Sequence, residues 1–417
     1  MLTLEILPVP ILLLAYLALC TAWWAFEFYV GRRQAACVRR HREQVPAAFA
    51  ASVTLEDHRR SADYTGDRLR LDAFASAADL AITFVALLWA LDAVTGLVSG
   101  WMAPSIGRSL VILGILGLGS SLVSLPLAAA RDLGLEQRYG FNRKTPGLFI
   151  RDRLKGMLLT ALIGGPLAAG ILWALRDLKG PWWIYTWAAL TVLMLAAPTV
   201  YVRLVAPWFN RFTPLDGDLA ARLEALLARC GFRSDGLFEM DASRRSSRGN
   251  AFFVGFGPTK RIVLFDTLLA KHAPDEIEAI VAHELGHFKH RHTLTGALRS
   301  IVTLFAMLAV VGWLCRQPWL LSGFGMRHAD PALGLLLGFM LASAASPVLG
   351  LFGRAISRRH EFQADDFARS MVGAAPMVSA LTRLARDNAS TLTPDPLFSL
   401  VHDTHPPVPV RVAHLLA

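Results

Sequence analysis

The sequence predicts a mainly α fold: a bundle of seven transmembrane helices with a cytoplasmic-side domain that contains a small β-sheet. Three observations carry that expectation. Apolar runs of about 20 residues, the length that crosses roughly 30 Å of hydrocarbon, recur along the chain. The 417 residues are 54% hydrophobic and only 18% charged, with a mean hydropathy of +0.43, whereas a soluble chain of this length carries more charge and shorter apolar runs. Two long segments, one between the fifth and sixth runs and one after the seventh, are too polar for lipid.

The expected spans run near Leu7–Tyr29, Ala73–Val98, Ile106–Ala129, Met157–Leu175, Trp182–Val205, Leu298–Leu314 and Leu333–Ile356. The first is expected to be retained rather than cleaved as a signal: MLTLE carries no positive charge, the apolar run is too long, and Arg32-Arg33 follow it. Nine arginines lie from Arg32 to Arg70, and Arg131, Arg138, Arg143, Lys144, Arg151, Arg153 and Lys155 follow span three. The loop after span two offers only Arg108 at its edge, and that after span four only Arg176 and Lys179. The positive-inside rule therefore puts odd-numbered loops in the cytoplasm and the N-terminus outside. The chain divides into 1–206 (five spans and their loops), 207–297 (first piece of the polar domain), 298–356 (two spans) and 357–417 (second piece).

The net charge of +10 sits mostly in these loops, which fits anionic lipid headgroups and argues against a nucleic-acid partner. Cys20, Cys37, Cys230 and Cys315 are scattered and form no C-x-x-C pair, which suggests neither a disulfide framework nor a thiolate metal site. GILGLG at Gly114–Gly119 lies inside a span with no preceding strand, so it serves helix packing rather than phosphate binding.

In the first polar piece, Leu219, Leu223, Leu226 and Leu227 share a helical face, predicting a helix over Asp216–Cys230. Ala251–Phe256 and Arg261–Phe265 read as two short strands joined through Gly257-Pro258. Pro274-Asp275-Glu276 then opens a helix, with proline early and acids in the first turn. That helix contains His283-Glu284-Leu285-Gly286-His287, an H-E-x-x-H motif. Residues four apart share a helical face, so both imidazoles reach one ion while Glu284 addresses a water beside it.

A catalytic zinc takes three protein ligands. The longer metzincin pattern fails, because it needs glycine at His290 and histidine at Thr293. The better candidate is Glu361 in SRRHEFQADDFA, with Asp365 on the same face to orient a ligand imidazole or assist proton transfer; His290 and His292 stay open as alternatives.

The sequence resembles the type I CAAX prenyl proteases (a-factor-converting enzymes), integral-membrane zinc metallopeptidases. The resemblance covers nearly the whole chain, through EQRYGFNRKTPGLFIRDRLK, APWFNRFTPL, RRSSRGNAFFVGFGPTKRIVLFDTLL, VAHELGHFKH, SRRHEFQADDFA and FSLVHDTHPPVPVRVAHL. It implies a gluzincin-like zinc metalloprotease domain and a large chamber among the spans. It implies one Zn2+ held by His283, His287 and Glu361, Glu284 as general base, and Asp365 as proton donor or ligand partner. It also implies that the strand from Asn250 and Ala251 through Phe252 and Phe253 holds substrate backbone, and that His405 and Arg411 stabilise the oxyanion. His360 departs from the phenylalanine expected there.

The expected partners are membrane lipids and a peptide or protein substrate, prenylated or membrane-embedded, with no obligatory protein partner. The many arginines and alanines, with a tail ending AHLLA that carries no lysine-based retrieval signal, point to a bacterial plasma membrane; in a eukaryote the expected site is the endoplasmic reticulum. Two other readings compete. A heat-shock-type quality-control membrane metalloprotease shares H-E-x-x-H but has fewer spans; a transporter with a fortuitous motif would carry charges within its spans and repeat symmetry, whereas these runs hold few charges and no repeat.

Overall fold

A computed structural model describes residues 10–178, 180–254 and 259–417. Five long helices come first: α1 (Ile11–Arg40), α2 (Leu55–Ser99), α3 (Ile106–Glu136), α4 (Pro146–Asp177) and α5 (Trp182–Trp208). The polar piece follows with β1 (Phe212–Pro214), α6 (Asp218–Arg229), β2 (Arg233–Met240), β3 (Ala251–Val254), β4 (Thr259–Phe265) and α7 (Pro274–Lys289). After it come α8 (His292–Leu314), α9 (Pro331–Ser343), α10 (Ser346–Val372), α11 (Ala374–Asp387), α12 (Pro396–His402) and α13 (Val408–Leu416).

Among the described residues six helices are long and apolar enough to span, and α9 with α10, bent by 52°, makes a seventh crossing if counted as one. The helices outrun the expected spans. At 45 residues α2 is about twice a bilayer crossing, and its polar half begins at an N-cap, where the Thr54 hydroxyl accepts from the Asp57 N–H. Leu7–Val9, the start of the first expected span, lie outside the described residues, as do Gly255 and Phe256 and the Gly257-Pro258 link.

The two polar pieces share one core. Leu226, Ile262, Ile277 and Leu285 of the first pack in a single cluster with Ala368, Leu381 and Leu415 of the second. The ends of the spans tie into this body: Tyr64 donates to Glu136 at 2.6 Å, Arg248 to Glu136 at 2.8 Å, and Arg245 pairs with Asp152 at 2.9 Å. Arg33 reaches Asp395 at 3.1 Å. The loops rich in arginine therefore sit at the domain's end of the bundle. At the other end Arg108 donates to Asp330 at 2.9 Å, and Asp92 accepts the Arg327 N–H at 2.7 Å.

The sheet has order β1-β2-β4-β3, with β2 and β4 parallel and the outer pairs antiparallel. β3 is thus an edge strand, paired on one side only. β1 and β2 are additions to the two strands read from the sequence.

Candidate metal centre

Pro274 stands at the first position of α7, and Glu276 folds back to accept the Ala273 N–H at 3.0 Å. The same carboxylate accepts from Ser379 at 2.5 Å and pairs with Arg383 at 2.9 Å, fixing the helix start to α11. Burial works to raise the Glu276 carboxyl, but the hydrogen bonds from Ser379, Ala273 and Arg383 hold it below the usual carboxylate range. At its other end α7 turns into α8 within two residues, with Arg291 in the left-handed region at φ 58°. The H-E-x-x-H helix is therefore joined almost directly to a spanning helix.

α10 continues past the bend of the last crossing into the domain, where Glu361 and Asp365 lie one turn apart and buried. It can approach α7 closely because Gly286 has no side chain. A Cβ there would stand 2.9 Å from the Ala364 Cα and 3.2 Å from its carbonyl oxygen. Gly286→Ala is expected to push the two helices apart, costing about 1–3 kcal/mol as overpacking does, with a lower thermal unfolding midpoint as the readout.

His283 Nε2 and His287 Nε2 face each other at 3.3 Å. Glu361 completes the group, with Oε2 at 3.3 Å from His283 Nε2 and Oε1 at 3.4 Å from His287 Nε2. One donor atom from each residue lies within 4.8 Å of the others. The Glu361 Oε2 is buried and makes no hydrogen bond, although an Arg411 Nη1 also comes within 3.4 Å. Lone-pair donors crowded this closely, one of them an orphaned buried carboxylate oxygen, suit a divalent cation among them.

The imidazole orientations follow from the surrounding bonds. His283 Nδ1 lies 2.9 Å from Asp365 Oδ1, so we assign its proton there, leaving Nε2 a bare acceptor. For His287 the chain of inference is longer. His292 Nε2 donates to Gln363 Oε1 at 2.8 Å, so neutral His292 presents Nδ1 as acceptor. His287 Nδ1, 3.0 Å away, then donates, and its Nε2 also faces the cluster as a lone pair. His292 thus touches the cluster only through His287, and His290, at the exposed end of α7, stacks on His292 instead. His360 lies flat on His292, with ring centroids 3.8 Å apart.

Arg411 grips Asp365 with two bonds, Nε to Oδ2 at 2.8 Å and Nη2 to Oδ1 at 2.5 Å. It is buried against His283 and Glu361 rather than turned to open space. His405 is exposed, with Nε2 at 3.3 Å from Glu361 Oε1. Glu284 is half-buried and has no hydrogen-bond or ion-pair partner among the described residues. It lines a cleft of about 450 Å³ whose walls include Ala251, Phe252, Phe253, His287 and His360. The edge strand thus borders the donor cluster. The Asn250 side chain accepts the Ala251 N–H at 2.9 Å, bracing the strand's start.

Residues 34–211 match the family described as CAAX prenyl protease N-terminal, five membrane helices, and residues 214–417 match Peptidase family M48. A "CAAX prenyl protease 1 homolog" of Arabidopsis thaliana is 33% identical over 408 residues, 93% of this chain and 94% of its own. The chain belongs to the CAAX prenyl protease family of M48 peptidases. "CAAX prenyl protease 1" of Saccharomyces cerevisiae is 32% identical, with 94% and 93% of the two chains covered. The crystal structure of S. mikatae Ste24p superposes with a TM-score of 0.89 at 31% identity, over 97% of this chain and 99% of that one. As a member of this family the protein is a multi-pass membrane metalloendopeptidase that acts on peptide or protein substrates. Gly286, Gln363 and His292 in its supporting role are missed by motif reading: His292 and Gln363 lie 71 residues apart and Gly286 and Ala364 lie 78 apart, beyond any local pattern.

Proposed function

We propose that the protein hydrolyses peptide bonds near the C-terminus of membrane-held polypeptides, including prenylated CAAX-type ends, with a single zinc ion held by His283, His287 and Glu361. The observation that carries this reading is the meeting of the α7 imidazoles with the α10 carboxylate beside the edge strand β3. Two imidazoles and a carboxylate form a His₂Glu set that leaves a coordination position open for chemistry. Zinc bound there polarises a carbonyl and lowers the pKa of water toward about 7.

The chain's own groups do the rest. An extended peptide adds to the free edge of Ala251–Val254 by backbone pairing, which places its scissile bond beside Glu284. The Glu284 carboxylate takes the proton of the attacking water and delivers it to the departing amide nitrogen. His405, exposed beside Glu361, donates to the developing oxyanion. Asp365, clamped by Arg411, keeps His283 oriented, so Arg411 acts as a positioning residue.

By charge distribution we assign the domain to the cytoplasmic face of the membrane. A substrate anchored in lipid then meets the site where α7 runs into α8, with no need to leave the membrane. The test uses purified full-length protein in detergent and a prenylated peptide with a CAAX-type end, beside its unprenylated twin. Cleavage that chelator abolishes and zinc restores is expected, faster for the prenylated peptide. Failure of the zinc-loaded protein to cut either peptide overturns the reading. Equal cleavage of both removes the prenyl specificity and favours quality-control proteolysis.

A further inference from the structure

The site cleft contains a cation that the chemistry above does not use. Arg299 lies on α8, a spanning helix, yet lines the same cleft as Glu284 and His287. An arginine within a span that faces lipid is costly, and those that persist face an aqueous cavity or a partner. Arg299 is exposed and has no ion pair, hydrogen bond or ring partner among the described residues. It is the only arginine among the described residues lining the cleft. Beside it stand Ser357 and His360 from α10 and Thr293 from α8. These groups make a polar wall near the apolar Phe252 and Phe253.

Its distance from the reacting centre is informative. Arg299 is seven residues past His292 and shares its helical face, two turns or about 10 Å further along the axis. His292 itself touches His287 at 3.0 Å. A side chain on a helix slants toward the N-terminus, which brings the guanidinium back toward the cluster. An extended peptide advances about 3.4 Å per residue. A group two or three residues beyond the scissile bond therefore reaches Arg299. The ligand suited to an unpaired, planar guanidinium is a carboxylate, held by paired hydrogen bonds.

We propose that Arg299 is a specificity residue that binds a substrate carboxylate two or three residues downstream of the bond cut. The inference rests on the peptidase reading above and refines it: the enzyme measures where the chain ends. The carboxylate comes either from the free C-terminus or from an acidic side chain at that position.

The experiment reads binding, so it does not depend on turnover. Labelled peptides with a free C-terminal acid, a C-terminal amide, or an amide plus glutamate at the last position are titrated against zinc-loaded, full-length Glu284→Gln protein by fluorescence anisotropy. The free acid is expected to bind about tenfold more tightly than the amide, the scale of one charge-assisted contact. Arg299→Gln brings that ratio to about one, and Arg299→Lys retains part of it. Tight binding of the glutamate peptide over the plain amide, lost in Arg299→Gln, supports the same subsite and identifies a side chain as the source. Equal binding of all three peptides, or an acid preference that persists in Arg299→Gln, overturns the proposal. Turnover of the same peptides by the protein with Glu284 intact reports separately on the peptidase reading: selective binding without any cleavage sinks that reading and leaves the carboxylate subsite standing.

Discussion

Replacing Glu284 with glutamine is expected to lower peptide hydrolysis by about 10²–10⁴-fold, the contribution of a positioned general base, while the metal content stays at that of the parent protein. The two halves of that expectation come from different features. Glu284 is not among the three residues whose donor atoms converge, so removing its charge leaves the converging set intact. Its side chain faces the cleft beside β3 with no partner among the described residues, so glutamine breaks no internal bond. What glutamine lacks is basicity: an amide oxygen accepts a hydrogen bond but does not take up a proton at neutral pH. Metal analysis and turnover measured on one preparation check both halves. Turnover near that of the parent rejects the role of Glu284, and loss of metal together with turnover shows that the carboxylate belongs to the ligand set instead.

That residue was legible in the sequence because its geometry is local. A spacing of four places His283 and His287 on one face of α7, and Glu284 follows from its position between them. The Glu361 and Asp365 pair was legible for the same reason, since both lie on one helix one turn apart. The spans were legible in number and less so in extent. Hydropathy marks where a helix crosses lipid, but α2 and α10 continue well beyond it because their polar halves pack into the domain. The outer strands left little local signal. β1 has three residues and includes Pro214, while β2 carries Gly236 at φ 103° and a register shift between Ser234 and Leu237, so alternation is broken. The support of the centre was least legible. The bond from His292 to Gln363 and the close approach at Gly286 exist only once α7, α8 and α10 are packed together. Arg411 is a related case: the sequence marks the residue, but only packing shows its guanidinium held by Asp365 instead of facing the cleft.

Glu361→Ala is expected to remove the metal and with it all measurable cleavage. Changing a residue that merely supports a ligand costs about 10–100-fold in metal affinity, so deleting a ligand carboxylate is expected to cost more. The variant is also expected to remain folded, because the strongest polar tie in this part of the domain, Arg411 on Asp365, does not involve Glu361. The loss therefore separates from unfolding in one measurement. Zinc at about 1,000 times its dissociation constant stabilises a protein that binds it only when folded by about 4 kcal/mol. The parent protein's unfolding midpoint should accordingly rise with added zinc, and that of Glu361→Ala should not. A variant that stays fully loaded at submicromolar free zinc removes Glu361 from the ligand set. The replacement would then have to be His290 or His292, and each would need rearrangement. His292 now meets His287 through Nδ1, on the side of the ring away from the cluster. His290 lies at the exposed end of α7, stacked on His292. Either imidazole would have to break the bond to Gln363 or the stack to reach the place where the donors converge, while the Glu361 carboxylate already lies against the imidazoles of His283 and His287.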